Sequence, residues 1–190
     1  TCALPILTQK IAGALIEKTE PKLDFAKLDS VNKHYMALAD DERLFGLWMN
    51  RPESRGLSDE VLDRIRAAMP HLKTRAANLA TFGEAARFLT DLRPIQLSGK
   101  AAGQVNDEAR GRLAALLPAL EGLTDWSEPA IKEELDHFCA RLGISMGKIG
   151  PVLRAVLTAG APAPDITLVL ALLGRNEAFA RIRDFAHNVG

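Results

Sequence analysis

Leu142-Gly-Ile-Ser-Met-Gly-Lys-Ile-Gly-Pro-Val-Leu-Arg-Ala-Val-Leu-Thr-Ala-Gly160 decides how this chain is expected to fold. Val152, Leu153, Val156 and Leu157 recur on one helical face, and Pro151 suits a first turn, where its missing N–H leaves no bond unmade. Gly147 and Gly150 loosen the entry. The stretch predicts a short buried helix with one cation, Arg154, at its centre. An arginine among aliphatics is costly to bury unless an anion or a set of acceptors meets it, so Arg154 is expected to point out of the stripe toward a partner.

Working outward, Asp165 is placed to cap a buried helix over 166–173 that stops at Gly174. Residues 175–186 then close the chain, with Phe179, Ile182 and Phe185 inward and Arg181 and Arg183 outward. Upstream, Ser127 with Glu128 and Pro129 forms a helix start, and that helix ends at Gly143. Trp126 is placed to pack on Ile131 as a staple, which makes it structural. A long helix over 105–120 carries a Leu113, Leu116, Leu117, Leu120 face.

Toward the N-terminus, residues 93–103 lose periodicity and gain Pro, Ser and Gly, marking a boundary between two helical units. Before it, 79–89 reads as one helix. Another is capped by Ser58 or Asp59 and runs through Met69 to Leu72, with Pro70 expected to kink or interrupt it. Residues 23–49 read as two helices, with Phe25, Leu28, Val31, Tyr35 and Leu38 as the apolar positions of the first and Asp40 or Asp41 capping the second. A short amphipathic helix over 8–17 precedes them, and residues 1–21 read as the remnant of a preceding domain. Thr1 is not an initiator methionine, which suggests a processed or truncated chain. No alternating strand pattern occurs, so the fold class is all-α: two consecutive helical bundles over 22–97 and 98–190.

Composition agrees, because a chain that is 47% hydrophobic and only 5% aromatic suits helices packed on helices. No apolar run approaches the roughly 20 residues that cross a bilayer, and the opening residues lack a basic flank, so a soluble cytoplasmic protein without membrane contact is expected. Cys2 and Cys139 have no metal or disulfide spacing and read as reduced thiols. The 24 basic and 24 acidic residues cancel, which argues against nonspecific binding to nucleic acid or acidic membranes but leaves room for a local basic face. Residues 141–190 carry six Lys/Arg against three acids, the concentration a focused site would need.

Candidate catalytic motifs fail on context. Gly143-Ile-Ser-Met-Gly-Lys148 is one residue short of a phosphate loop, has Ile149 where a magnesium-holding hydroxyl belongs and follows a helix. Glu134-Leu-Asp-His137 has the spacing of a carboxylate-bundle ligand pair but no second copy, so a solvated helix face accounts for it better. His34, His71 and His187 have no partner at a motif spacing, and no nucleophile elbow occurs. Arg75, taken alone, reads as a surface arginine near a helix end.

Lys148-Ile-Gly-Pro-Val-Leu-Arg-Ala-Val-Leu-Thr158, followed by Pro164-Asp-Ile166 and Leu170-Ala-Leu-Leu-Gly174, resembles the end of the anticodon-binding region of bacterial glutamyl-tRNA synthetases. There a Pro-Leu-Arg-x-Ala-Leu-Thr-Gly element precedes a Ser-Pro loop and a Leu-Leu-Gly helix. Upstream, Lys22-Leu-Asp24, Leu28, Asn32 and Tyr35 follow the family's first anticodon-binding helix, with Leu23 for the usual Phe. Leu72-Lys-Thr-Arg-Ala-Ala-Asn-Leu79 partly matches its x-Arg-x-Lys-Thr-Leu segment, with Ala77 for Lys and Asn78 for Thr. At Thr158-Ala159-Gly160 the family usually has Thr-Gly directly.

The resemblance implies a tRNA(Glu) anticodon loop as partner, met by Arg75, Arg154, Pro164, Ile166 and Lys148. Arg75 maps onto the reader of the last anticodon base, Arg154 onto an arginine facing the anticodon, Pro164 and Ile166 onto a loop that meets the other bases, and Lys148 suits a phosphate. A guanidinium only donates, so it favours cytosine, which offers acceptors on its pairing edge, over guanine. The parent enzyme attaches glutamate to tRNA using ATP and Mg through His-Ile-Gly-His and Lys-Met-Ser-Lys-Ser type motifs, neither of which is in this sequence. The expectation is therefore a monomer without its catalytic domain, with no cofactor of its own and no aminoacylation alone. Two alternatives stay open: a helical protein-interaction module, and an enzyme with a site assembled from dispersed residues.

Overall fold

The computed structural model describes residues 25–186, and these form helices α1 (Phe25–Leu38), α2 (Asp41–Met49), α3 (Asp59–Leu72), α4 (Leu79–Ala85), α5 (Arg87–Thr90), α6 (Gly99–Gly103), α7 (Asp107–Glu121), α8 (Glu128–Leu142), α9 (Met146–Thr158) and α10 (Ile166–Ala186). No strand occurs among the described residues. The expected 8–17 helix, the 1–21 remnant, Lys22-Leu-Asp24, Cys2 and His187 lie outside them.

Side-chain caps open the helices at Asp40, Ser58 and Ser127 as the sequence places them, and at Asn106, which starts α7 at Asp107 instead of 105. Asp40 accepts from Arg43 N at 2.9 Å, Ser58 from Val61 N at 3.4 Å, Asn106 from Ala109 N at 2.9 Å and Ser127 from Ala130 N at 3.4 Å. Each satisfies one of the N–H groups that a first turn leaves without a partner. At the other end, Gly143 closes α8 with φ 62, and Gly174, with φ 74 and ψ 160, breaks α10 into two helical stretches at the predicted place.

Local departures have local causes. α9 begins at Met146, so Pro151 lies inside the helix with glycine at position 147, four residues before it, where the proline ring crowds the preceding turn. α3 runs through Pro70 and ends two residues later in a 3-10 turn, Lys73–Arg75. Residues 79–89 split into α4 and α5 at Ala86, and the aperiodic boundary stretch contains the short α6.

The core is one connected apolar cluster. Trp48, Ile65, Met69, Leu72, Phe82 and Phe88 contribute from α2–α5, and Leu113, Leu116, Ile131, Leu153, Val156, Leu170 and Ile182 from α7–α10. α10 is its axis, packing against α3, α7, α8 and α9. Trp126 is structural: its Nε1 donates to Leu170 O at 3.1 Å and its ring meets Phe179 edge-on at 5.3 Å.

One expectation is overturned. Arg181 is not outward but 1% exposed, donating to the carbonyls of Phe88 (2.8 Å), Leu157 (2.6 Å) and Asp91 (2.8 Å) and pairing with Glu177 at 2.7 Å. Helix-end carbonyls lack intrahelical partners, and a guanidinium can satisfy several at once, which offsets its desolvation. On α1, Leu28, Val31, Tyr35 (51% exposed) and Leu38 (69%) face solvent. α1 packs on the Lys73–Arg75 turn and buries Met36.

Candidate nucleic-acid interface

The loop between α9 and α10 is built by Arg154. Its Nη1 donates to Ala163 O at 3.2 Å and its Nη2 to Pro164 O at 3.0 Å, so the guanidinium fork grips two successive carbonyls. Acceptors from its own chain thus meet the arginine as it leaves the apolar stripe of α9. Thr158 adds a second tie, with Oγ1 donating to Arg154 O at 2.7 Å. Between them Ala159 (φ 53) and Gly160 (φ 75) both take the left-handed conformation and turn the chain back toward α10. Gly160 also touches α6: a Cβ there would stand 3.1 Å from Ala101 Cβ. The Ala159 departure therefore fills the left-handed helix C-cap, with Gly160 following at the close approach.

A groove of about 1120 Å³ opens beside this loop, lined by α6, α8, α9 and the start of α10. Arg154 and Ile166 face it, as do Lys100, Gln104, Lys132 and Asp136. Pro164 is buried, with its carbonyl held by Arg154, and Ile166 is largely buried at the groove floor, so these two shape the loop more than they project from it. Lys132 Nζ bonds Asp136 Oδ2 at 2.8 Å, and that hydrogen bond raises the lysine's pKa. Cys139 lies against Met146 of the groove wall, Sγ to Sδ 3.6 Å, and burial pushes its thiol pKa up. Lys100, Gln104 and Lys132 were missed in the sequence because α6 and α8 meet across the groove, 32 residues apart.

The cationic concentration over 141–190 is mostly employed internally. Arg141 pairs with Glu134, Arg183 with Glu121, Arg175 donates to Glu121 O and Leu123 O, and Arg154 and Arg181 hold carbonyls. Lys148 is exposed on the first turn of α9, and its ammonium has no hydrogen bond or ion pair among the described residues.

Arg75 sits apart from the groove, on the 3-10 turn after α3. Lys73 moors that turn by donating to Ala39 O at 2.7 Å and pairing with Asp41 at 2.7 Å. On its other side Asn78 accepts from Ala80 N and Thr81 N, while Thr81 Oγ1 accepts from Asn78 N, a reciprocal capping box. Asparagine thus serves as the cap at this departure from the family pattern. The Arg75 side chain is exposed and has no hydrogen bond or ion pair among the described residues. The structure brings Arg154, Pro164 and Ile166 together and leaves Arg75 and Lys148 outside the groove lining.

The family described as an anticodon binding domain matches residues 16–186, almost the whole chain. The chain belongs to the anticodon binding domain family. Its curated relatives include glutamate–tRNA ligase 1 of Hyphomonas neptunium, 45% identical over 170 residues, and glutamate–tRNA ligase 2 of Maricaulis maris, 42% identical over 175 residues. Each alignment covers 89% of this chain but only 35% and 36% of those ligases, so the chain spans about a third of the relatives it matches. A crystal structure of a glutamate tRNA ligase from Elizabethkingia meningosepticum shares the fold, with TM-score 0.69 at 24% identity over 85% of this chain and 32% of that one. Among the described residues, no helix is long and apolar enough to cross a membrane.

Proposed function

We propose that this chain is the tRNA-selecting part of a glutamate–tRNA ligase and docks the anticodon loop of tRNA(Glu). One observation carries the reading within the family: Arg154 pre-forms the 163–166 loop at the rim of a groove wide enough for splayed-out bases. Single-stranded loops are read by their exposed base edges and by packing, while phosphates are held by cations, for which Lys148 and Lys100 stand at the periphery. Arg75, on a turn moored by Lys73 and with no hydrogen bond or ion pair of its guanidinium among the described residues, is suited to the last anticodon base and favours cytosine there.

Glutamate activation, ATP and magnesium belong in this reading to a catalytic portion outside the present sequence, and the chain acts in the cytoplasm as one copy. A second reading, a protein-interaction module, is favoured by the exposed Leu28, Val31, Tyr35, Leu38 stripe of α1.

Titrating the chain with a tRNA(Glu) anticodon stem-loop across a salt series tests both readings, with an unrelated loop on the same stem and a Leu28→Glu/Tyr35→Glu chain as comparisons. The tRNA reading predicts selective binding, a log-log slope of about −0.7 per phosphate contacted, and no effect of the α1 substitutions. Equal affinity for both loops contradicts it, and no RNA binding by the folded wild-type chain supports the module instead.

A further inference from the structure

Arg181 joins parts of the chain that are far apart in sequence. Its Nη1 meets Phe88 O and Leu157 O and its Nη2 meets Asp91 O, while Nε is held by Glu177. Phe88 lies in α5 and Asp91 caps it, on the side of the chain that carries Arg75; Leu157 lies in the last turn of α9, three residues beyond Arg154. The contact is dry and central, since the side chain is 1% exposed. Arg93 strengthens the same seam from the surface, with Nε 3.6 Å from Glu177 Oε2 and Nη1 3.4 Å from Asp184. Glu177 therefore orients Arg181 from one side while Arg93 neutralises it from the other.

Anticodon reading as proposed above needs Arg75 and the Arg154 loop at a fixed separation, because one RNA loop must meet both. Apolar packing across α3 and α10 is non-directional and tolerates sliding, whereas three carbonyl bonds to one planar fork do not. We propose that Arg181 is a positioning residue: it locks the α1–α5 helices to the α7–α10 helices at the spacing an anticodon loop requires. The functional half of this inference rests on the tRNA reading; the mechanical half does not.

Arg181→Met removes the charge and all the donors, and Glu177 keeps Arg93 as a partner. Arg181→Lys keeps the charge but cannot span three carbonyls, and serves as the milder variant if the first unfolds. Spin labels at Ala80→Cys in α4 and Ala115→Cys in α7, in a Cys2→Ala/Cys139→Ala background, report the separation without RNA. The wild type is expected to give one narrow distance distribution and the folded variants broader ones, Met more than Lys. Stem-loop affinity, measured where circular dichroism shows the variants folded, should fall about tenfold or more, the loss expected when two linked contacts no longer engage together. Preference for the last base should survive, because the Arg75 turn is intact.

A narrow, unchanged distribution in a folded variant overturns the lock whatever the RNA does. A broadened distribution with unchanged affinity overturns the positioning role. If the wild type binds no stem-loop, the tRNA reading fails, and the distance measurement still decides the lock.

Discussion

At the scale of single residues, arginine is the recurring structural device of the α7–α10 helices. Arg154, Arg175 and Arg181 each donate to two or more main-chain carbonyls, and Arg110 reaches Phe185 O at 2.8 Å. The chemistry is the same throughout: helix ends and loops present carbonyls without donors, and a planar fork of five N–H groups supplies them. This use was not legible from composition, which counts a cation without showing whether it faces solvent or a carbonyl. Arg181 looked outward because its neighbours Ile182 and Phe185 define the apolar face of one helix, and two of the three carbonyls it meets lie 90 and more residues upstream. Arg154 tests the device directly. In Arg154→Lys one ammonium cannot grip both Ala163 O and Pro164 O, so stability should fall by about 1 kcal/mol in urea unfolding. Amide exchange at Ala163 and Asp165 should quicken with it. Unchanged exchange there would show that the loop holds its shape without the arginine.

At the scale of elements, sequence reading succeeded where a residue type has few conformational roles. Asp40, Ser58 and Ser127 accept from first-turn N–H groups, and Gly143 and Gly174 take positive φ, because short polar side chains and glycine are the residues those positions favour. It failed where the outcome depends on what lies opposite. Periodicity gives α1 an apolar face but does not say that anything covers it, and Leu38 is 69% exposed. The five residues of α6 are too few to show a period. Within the candidate site, the 163–166 loop and Arg154 were legible from their pattern, while the groove itself was not, because Lys100 and Lys132 meet only through tertiary packing. The turn after α9 yields a paired expectation. Ala159 holds a left-handed φ of 53, so Ala159→Gly should stabilise the chain by about 0.5–1 kcal/mol. Gly160→Ala should destabilise it by more than that, since it adds strain at φ 75 and a contact of 3.1 Å with Ala101. Thermal unfolding of the two variants measures both signs, and equal shifts would contradict the assigned conformations.

At the scale of the molecule, one connected core carries two separate candidate contacts for RNA, the Arg75 turn and the groove beside Arg154. The two are anchored differently. The turn is moored by Lys73 and the Asn78 capping box near the surface, and the groove loop by Arg154 within the α9–α10 connection. Net charge contributes little to either, because the 24 cations and 24 anions balance and most arginines of the last fifty residues are tied internally. Affinity should therefore depend on geometry more than on a broad positive field, with a modest salt slope.

The decisive measurement is the affinity of this chain for two anticodon stem-loops that differ only in the last anticodon base, cytosine or guanine, each with wild type and Arg75→Ala. The account predicts a preference for cytosine of about tenfold or more in the wild type, in line with about 1–3 kcal/mol for one base-edge arginine, and its loss in the variant. Equal binding of the two loops by the wild type, or a preference that persists without Arg75, would contradict it.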